Sequence, residues 1–85
     1  MELNDNNSYT WRHLGIYYML KNDLSEALKY LEQAEKIDPG TWTINYYLGL
    51  AHQRSGNTEK ASEYFAISKD RAEAIDSIFS ENDSN

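Results

Sequence analysis

The chain is poor in the residues from which active sites are built. It has two histidines, His13 and His52, and no cysteine. The histidines lie far apart, with no carboxylate at metal-ligand spacing, so no zinc-type site is expected. No serine or histidine stands in a recognisable nucleophile context, and no glycine-rich loop follows a strand to cradle a phosphate. Glu32 and Glu35, with Lys29 and Lys36 three or four residues away, read as a solvated helix face. Neither an enzyme, a metal nor a cofactor is therefore expected. Recognition chemistry is better represented. Seven of the 85 residues are Tyr and two are Trp. Tyr, Trp and Arg dominate binding energy at interfaces, and Tyr brings a large contact area at low entropic cost.

Eighty-five residues make one small domain whose core is modest, and without cysteine no disulfide can staple it. No apolar run is long enough to span a membrane. The start, Met1 to Asp5, has neither a basic region nor an apolar stretch, so no signal peptide is expected and the cytoplasm is the default compartment. The Asn6-Asn7-Ser8 and Asn82-Asp83-Ser84 triplets are then chance matches to the glycosylation pattern. Net charge is −6, but residues 8–69 are balanced. The acidic excess lies in Glu2 and Asp5 and in the stretch from Asp70 to Asn85. Acidic ends repel nucleic acid and anionic lipid, so neither is an expected partner.

The elements that must position the aromatic residues are helical. Residues 1–7 hold one large apolar residue, Leu3, and are expected to be disordered. Ser8 is the expected N-cap of a first helix over Tyr9 to Lys21. Trp11, Leu14, Tyr17 and Tyr18 there lie on faces that can be buried. Asn22-Asp23 turns the chain. A second helix runs from Leu24 to Ile37 with the stripe Leu24, Ala27, Leu28, Leu31, Ala34 and Ile37. Pro39 ends it by disfavouring helical backbone at Asp38.

The spacing within this half is Trp11-x2-Leu14-Gly15-x2-Tyr18, then Ala27, Leu31, Ala34 and Pro39. On these residues the first half resembles the tetratricopeptide repeat (TPR), a helix–turn–helix unit of about 34 residues. A shift by that period carries Leu14 to Leu48, Gly15 to Gly49, Ala27 to Ala61, Tyr30 to Tyr64 and Leu31 to Phe65. A second repeat is thus expected, with a third helix over Thr43 to Arg54, a turn at Ser55-Gly56-Asn57, and a fourth helix opened by Thr58 and Glu59. It departs from the pattern at Asn45, His52, Ser68 and Glu73, where Trp, Tyr, Ala and Pro would stand. The expected fold is all-α: two TPR hairpins in a right-handed α-solenoid, with an extended C-terminal helix. The expected divisions are a disordered 1–7, a first repeat at 8–41, a second at 42–79 and a disordered acidic tail at 80–85.

The resemblance implies a protein-interaction module whose first helices line a concave groove. By register that groove would be lined by Tyr9, Arg12, His13, Ile16 and Leu20, then Thr43, Tyr46, Tyr47, Leu50 and Arg54. The competing expectation is that Ile16, Leu20 and Leu50 pack locally and leave the groove thin. One group of TPR grooves clamps the C-terminal carboxylate of heat-shock chaperones with a lysine and two asparagines. Here those places hold Arg12, Ile16 and Tyr47. An apolar or aromatic peptide or helix is the better expectation.

With no Pro or Gly after Gly56, nothing stops the fourth helix. Its stripe, Ala61, Phe65, Ser68, Ala72, Ile75 and Phe79, continues past the repeat body. Ala72, Ile75, Ile78 and Phe79 would then be left over. Either the extension bends back through a break near Lys69 to Ala72, or it docks on another chain, most simply as a homodimer. The expected function is a TPR adaptor or assembly factor. The alternatives are an obligate subunit of a larger complex, or a C-terminal piece of a longer TPR array.

Overall fold

The computed structural model describes residues 7–83, with side chains through Ile75. Four helices follow one another: α1 (Ser8–Leu20), α2 (Leu24–Ile37), α3 (Trp42–Arg54) and α4 (Thr58–Asp83). Asn7, not Ser8, caps α1. Its side-chain carbonyl accepts from the Tyr9 N–H at 3.0 Å while its backbone carbonyl accepts from Thr10. Both residue types cap well, and Asn7 is the one that retains extended backbone. The rest of the 1–7 segment lies outside the described residues.

The turns follow the chemistry of their residues. Asn22 takes the left-handed conformation, φ 63°, which Asn tolerates better than most side chains. Asp23 then caps α2 by accepting from the Glu26 N–H at 3.4 Å. Asp38, ahead of Pro39, leaves the helical region with φ −139° and ψ 78°. Gly56 supplies φ 87° at the α3–α4 turn, and Asn57 caps α4 through the Lys60 N–H at 3.3 Å.

Each hairpin closes on a glycine. A Cβ placed on Gly15 would lie 2.5 Å from Leu31 Cγ, and one on Gly49 would lie 2.7 Å from the Phe65 ring. The core runs between the hairpins: Met19, Ala27, Leu31, Ala34, Ile44, Leu48 and Ala51 are buried, with Leu24, Leu28, Leu50 and Tyr64 packed around them. Fully burying a side chain such as Leu31, Ile44 or Leu48 stabilises by roughly 1.5–3 kcal/mol each. The second hairpin absorbs its departures from the pattern. Asn45 is buried and donates to the Thr41 carbonyl at 3.2 Å. His52 stacks on Tyr64 with centroids 5.5 Å apart. Ser68 donates its hydroxyl to the Trp42 carbonyl at 3.1 Å.

That last bond puts Ser68 level with the start of α3. α4 nevertheless continues unbroken to Asp83, so the bend expected as one option near Lys69 to Ala72 does not form. Nor does the helix stop at Phe79: Ser80 to Asp83 extend it rather than forming a separate tail, because no residue there breaks a helix. Past half-buried Ala72, the described Glu73, Ala74 and Ile75 are exposed. Tyr17, expected to lie on a face that could be buried, is 50% exposed. No helix among the described residues is long and apolar enough to cross a membrane.

Candidate protein-interaction surface

Helices α1 and α3 meet at one polar bond, in which Arg12 Nη1 donates to Thr43 Oγ1 at 2.8 Å. Aromatic groups stand on both sides of it. On α1 the Arg12 guanidinium carbon lies 5.2 Å from the Tyr9 ring centroid, and Tyr9 lies 4.1 Å from His13, tilted. On α3 Tyr46 meets Tyr47 edge-on at 5.5 Å and reaches Phe65 of α4 at 5.8 Å. Tyr9 and Tyr46 are 57% and 41% exposed. Part of each ring is thus open to a partner, and the Arg12 guanidinium is held by a neighbour rather than by solvent alone.

The other residues of the expected groove divide. Ile16 is half-buried, and Leu50 packs against the core. Those two follow the expectation of local packing. Leu20 does not: it is 80% exposed at the last turn of α1. His13 and Arg54 are exposed. Sequence reasoning missed Trp42, which is 37% exposed at the first turn of α3. Its position one turn before Tyr46, on the same helix face, was the available signal.

A second cluster lies at the junction of the hairpins. The Tyr64 hydroxyl of α4 lies near the Glu35 carboxylate of α2, and each influences the other's pKa. Burial raises the Glu35 pKa, and the Glu32 carboxylate adds to the rise; the nearby Tyr64 hydroxyl and Lys60 oppose it. Burial likewise lowers the His52 pKa and raises that of Tyr64. These groups are packed between helices and serve cohesion. The expected pairing of Lys29 with Glu32 gives way to an exposed pair with Glu26 at 3.9 Å. No group of three His, Asp or Glu among the described residues could hold a metal, and no enclosed pocket is found among them.

Of the residues expected to drive self-association, Ala72 is half-buried and Ile75 is 43% exposed. The side chains of Ile78 and Phe79 lie outside the described residues.

Two stacked antiparallel hairpins, each closed on a glycine, define an all-α helical-hairpin protein. Residues 8–41, the whole of α1 and α2, match the tetratricopeptide repeat family model. The first hairpin is thus a tetratricopeptide repeat, and such repeats in general mediate protein–protein interaction. None of the curated proteins matches the chain.

Proposed function

We propose that this protein is a cytoplasmic adaptor that presents the surface of α1 and α3 to a peptide or helix of a partner protein. The supporting observation is the Arg12–Thr43 bond at 2.8 Å, which ties the two helices together with Tyr9 and Tyr46 exposed on either side. No bond is made or broken in this role. Binding energy comes from stacking on exposed rings and from displacement of water by apolar groups. We further read the free end of α4 as a self-association element, on the exposure of Ile75 beyond the level of α3.

Selection of a displayed peptide library on the immobilised protein tests the groove reading. Enriched peptides should carry aromatic or branched apolar residues. Tyr9→Ala and Tyr46→Ala should each weaken their binding about tenfold or more, a typical interface anchor loss. Peptides that bind both variants as tightly as the parent would overturn it. In the cell, a single stoichiometric partner would favour the obligate-subunit alternative over an adaptor.

A further inference from the structure

The two hairpins allow an internal comparison. The repeat period relates Thr10, Leu14 and Tyr17 of α1 to Ile44, Leu48 and Ala51 of α3. The α3 set is at most 1% exposed, covered by the α2 that precedes it. The α1 set has no described helix before it: Thr10 and Leu14 are half-buried and Tyr17 is exposed. Four rings run on from there in a ladder. Tyr17 meets Tyr18 edge-on at 5.1 Å, Tyr18 stacks on Tyr30 at 5.4 Å, and Tyr30 stacks on Trp11 at 5.7 Å. Two cations rim it, with Lys21 Nζ 5.4 Å from the Tyr17 centroid and Lys29 Nζ 5.5 Å from that of Tyr30.

The second hairpin shows what kind of element fills such a place. There, Tyr64 occupies the position of Tyr30, half-buried at the junction, with the Glu35 and Glu32 carboxylates of the covering helix near it. The matching cover for the first hairpin is therefore a helix with apolar residues and carboxylates. This chain carries one. The far part of α4 offers Ala72 and Ile75, and the stretch from Asp70 to Asn85 holds five acids, Asp70, Glu73, Asp76, Glu81 and Asp83, against one base, Arg71. Its sign is opposite to that of the Lys21–Lys29 rim. Helix α4 points past its own hairpin, so we propose that the end of α4 of one copy docks on the Leu14–Tyr17–Tyr30 face of a second copy. The proposal rests on the self-association reading above and names its receiving surface. The contact is heterologous, α4 against α1 and α2, and it closes only if two copies exchange helices reciprocally.

Light scattering on four samples tests this: wild type, Tyr17→Glu, Ile75→Glu, and an equimolar mixture of the two variants. Both positions are exposed, and circular dichroism verifies that the helices persist. Wild type should run above the monomer mass and each variant as a monomer. The mixture should form a heterodimer, because the intact α4 of the Tyr17→Glu copy meets the intact face of the Ile75→Glu copy. The double charge reversal Lys21→Glu with Lys29→Glu should also give monomer, which keeps the test open where Tyr17→Glu unfolds. If Tyr17→Glu stays associated while Ile75→Glu is monomeric, α4 self-associates elsewhere and the receiving surface is wrong. A mixture that remains monomeric overturns it equally. A wild type that is monomeric at high concentration overturns both the surface and the self-association reading.

Discussion

The Tyr64 side chain of α4 lies near Glu35 of α2, so the last helix reaches the first hairpin as well as its own partner. Both side chains are half-buried. A polar contact of this kind, partly exposed, contributes less than the roughly 1.5–3 kcal/mol of a well-shielded hydrogen bond to a charged group. Tyr64→Phe should therefore lower unfolding stability by about 1 kcal/mol. Urea denaturation checks this, with Tyr30→Phe, its counterpart in the first hairpin, as the comparison.

His52 is buried against Tyr64 and its pKa is lowered from the ordinary 6.5, first by desolvation and then by Lys60. A depressed folded pKa contributes stability that is present above the unfolded value and lost as pH falls through the folded one. Glu35 has the opposite sign. Its raised pKa gives stability that is present below the unfolded value of 4.5 and lost as pH rises through the folded one. Thermal midpoints should therefore fall as pH drops from neutral towards about 5, with Glu35 offsetting the loss at the acidic end. His52→Gln should flatten that fall in a pH series of melting curves. A variant that retains the full slope would remove His52 as its cause.

Gly15 sits where a Cβ would lie 2.5 Å from Leu31 Cγ and 3.3 Å from the Ala27 carbonyl oxygen. Alanine normally favours a helix over glycine by about 1 kcal/mol. Here Leu31 is fully buried and has no room to retreat. Gly15→Ala should destabilise by about 1–3 kcal/mol, the usual cost of overpacking. Chemical denaturation of the variant decides between the two effects, which have opposite signs.

Asn45 Oδ1 is buried and has no hydrogen-bond partner among the described residues. The Thr41 carbonyl that takes the Asn45 side-chain amide also accepts from the Asn45 backbone N–H, at 3.4 Å. Replacing the side chain would thus leave Thr41 paired. Asn45→Leu keeps the branching of the side chain and, where the core accommodates its larger volume, should stabilise the protein by about 1 kcal/mol through relief of an unsatisfied polar atom. A calorimetric midpoint several degrees higher, about 4–8 °C for a domain of this size, is the expected readout.

The first hairpin was legible because its signature names contacts. Gly15 and Leu31 are complementary in size, and α2 has the expected ends because Asp23 and Pro39 bound it. The second hairpin was legible through its period. What the sequence did not reveal depends on neighbours. Tyr17 sits on an apolar face, but its burial requires a preceding helix that local pattern cannot supply. Arg12 and Thr43 are 31 residues apart, and no spacing rule pairs them. Leu50 fits a groove position and a core position equally well by register; packing assigned it to the core. The end of α4 is polar, which by composition alone suits a disordered tail, but a polar stretch without Pro or Gly continues a helix readily.

The placement of the two tryptophans makes the molecule its own spectroscopic instrument. Trp11 lies in the ring ladder of the first hairpin, while Trp42 opens α3 at the surface of the second. Their emission should differ in colour and in accessibility to a quencher. Single-tryptophan versions then report the melting of each hairpin separately. In repeat proteins, stability is close to a sum of unit and interface terms. Two such melting curves would show directly whether the Tyr64–Glu35 junction makes this pair of hairpins unfold as one body or as two.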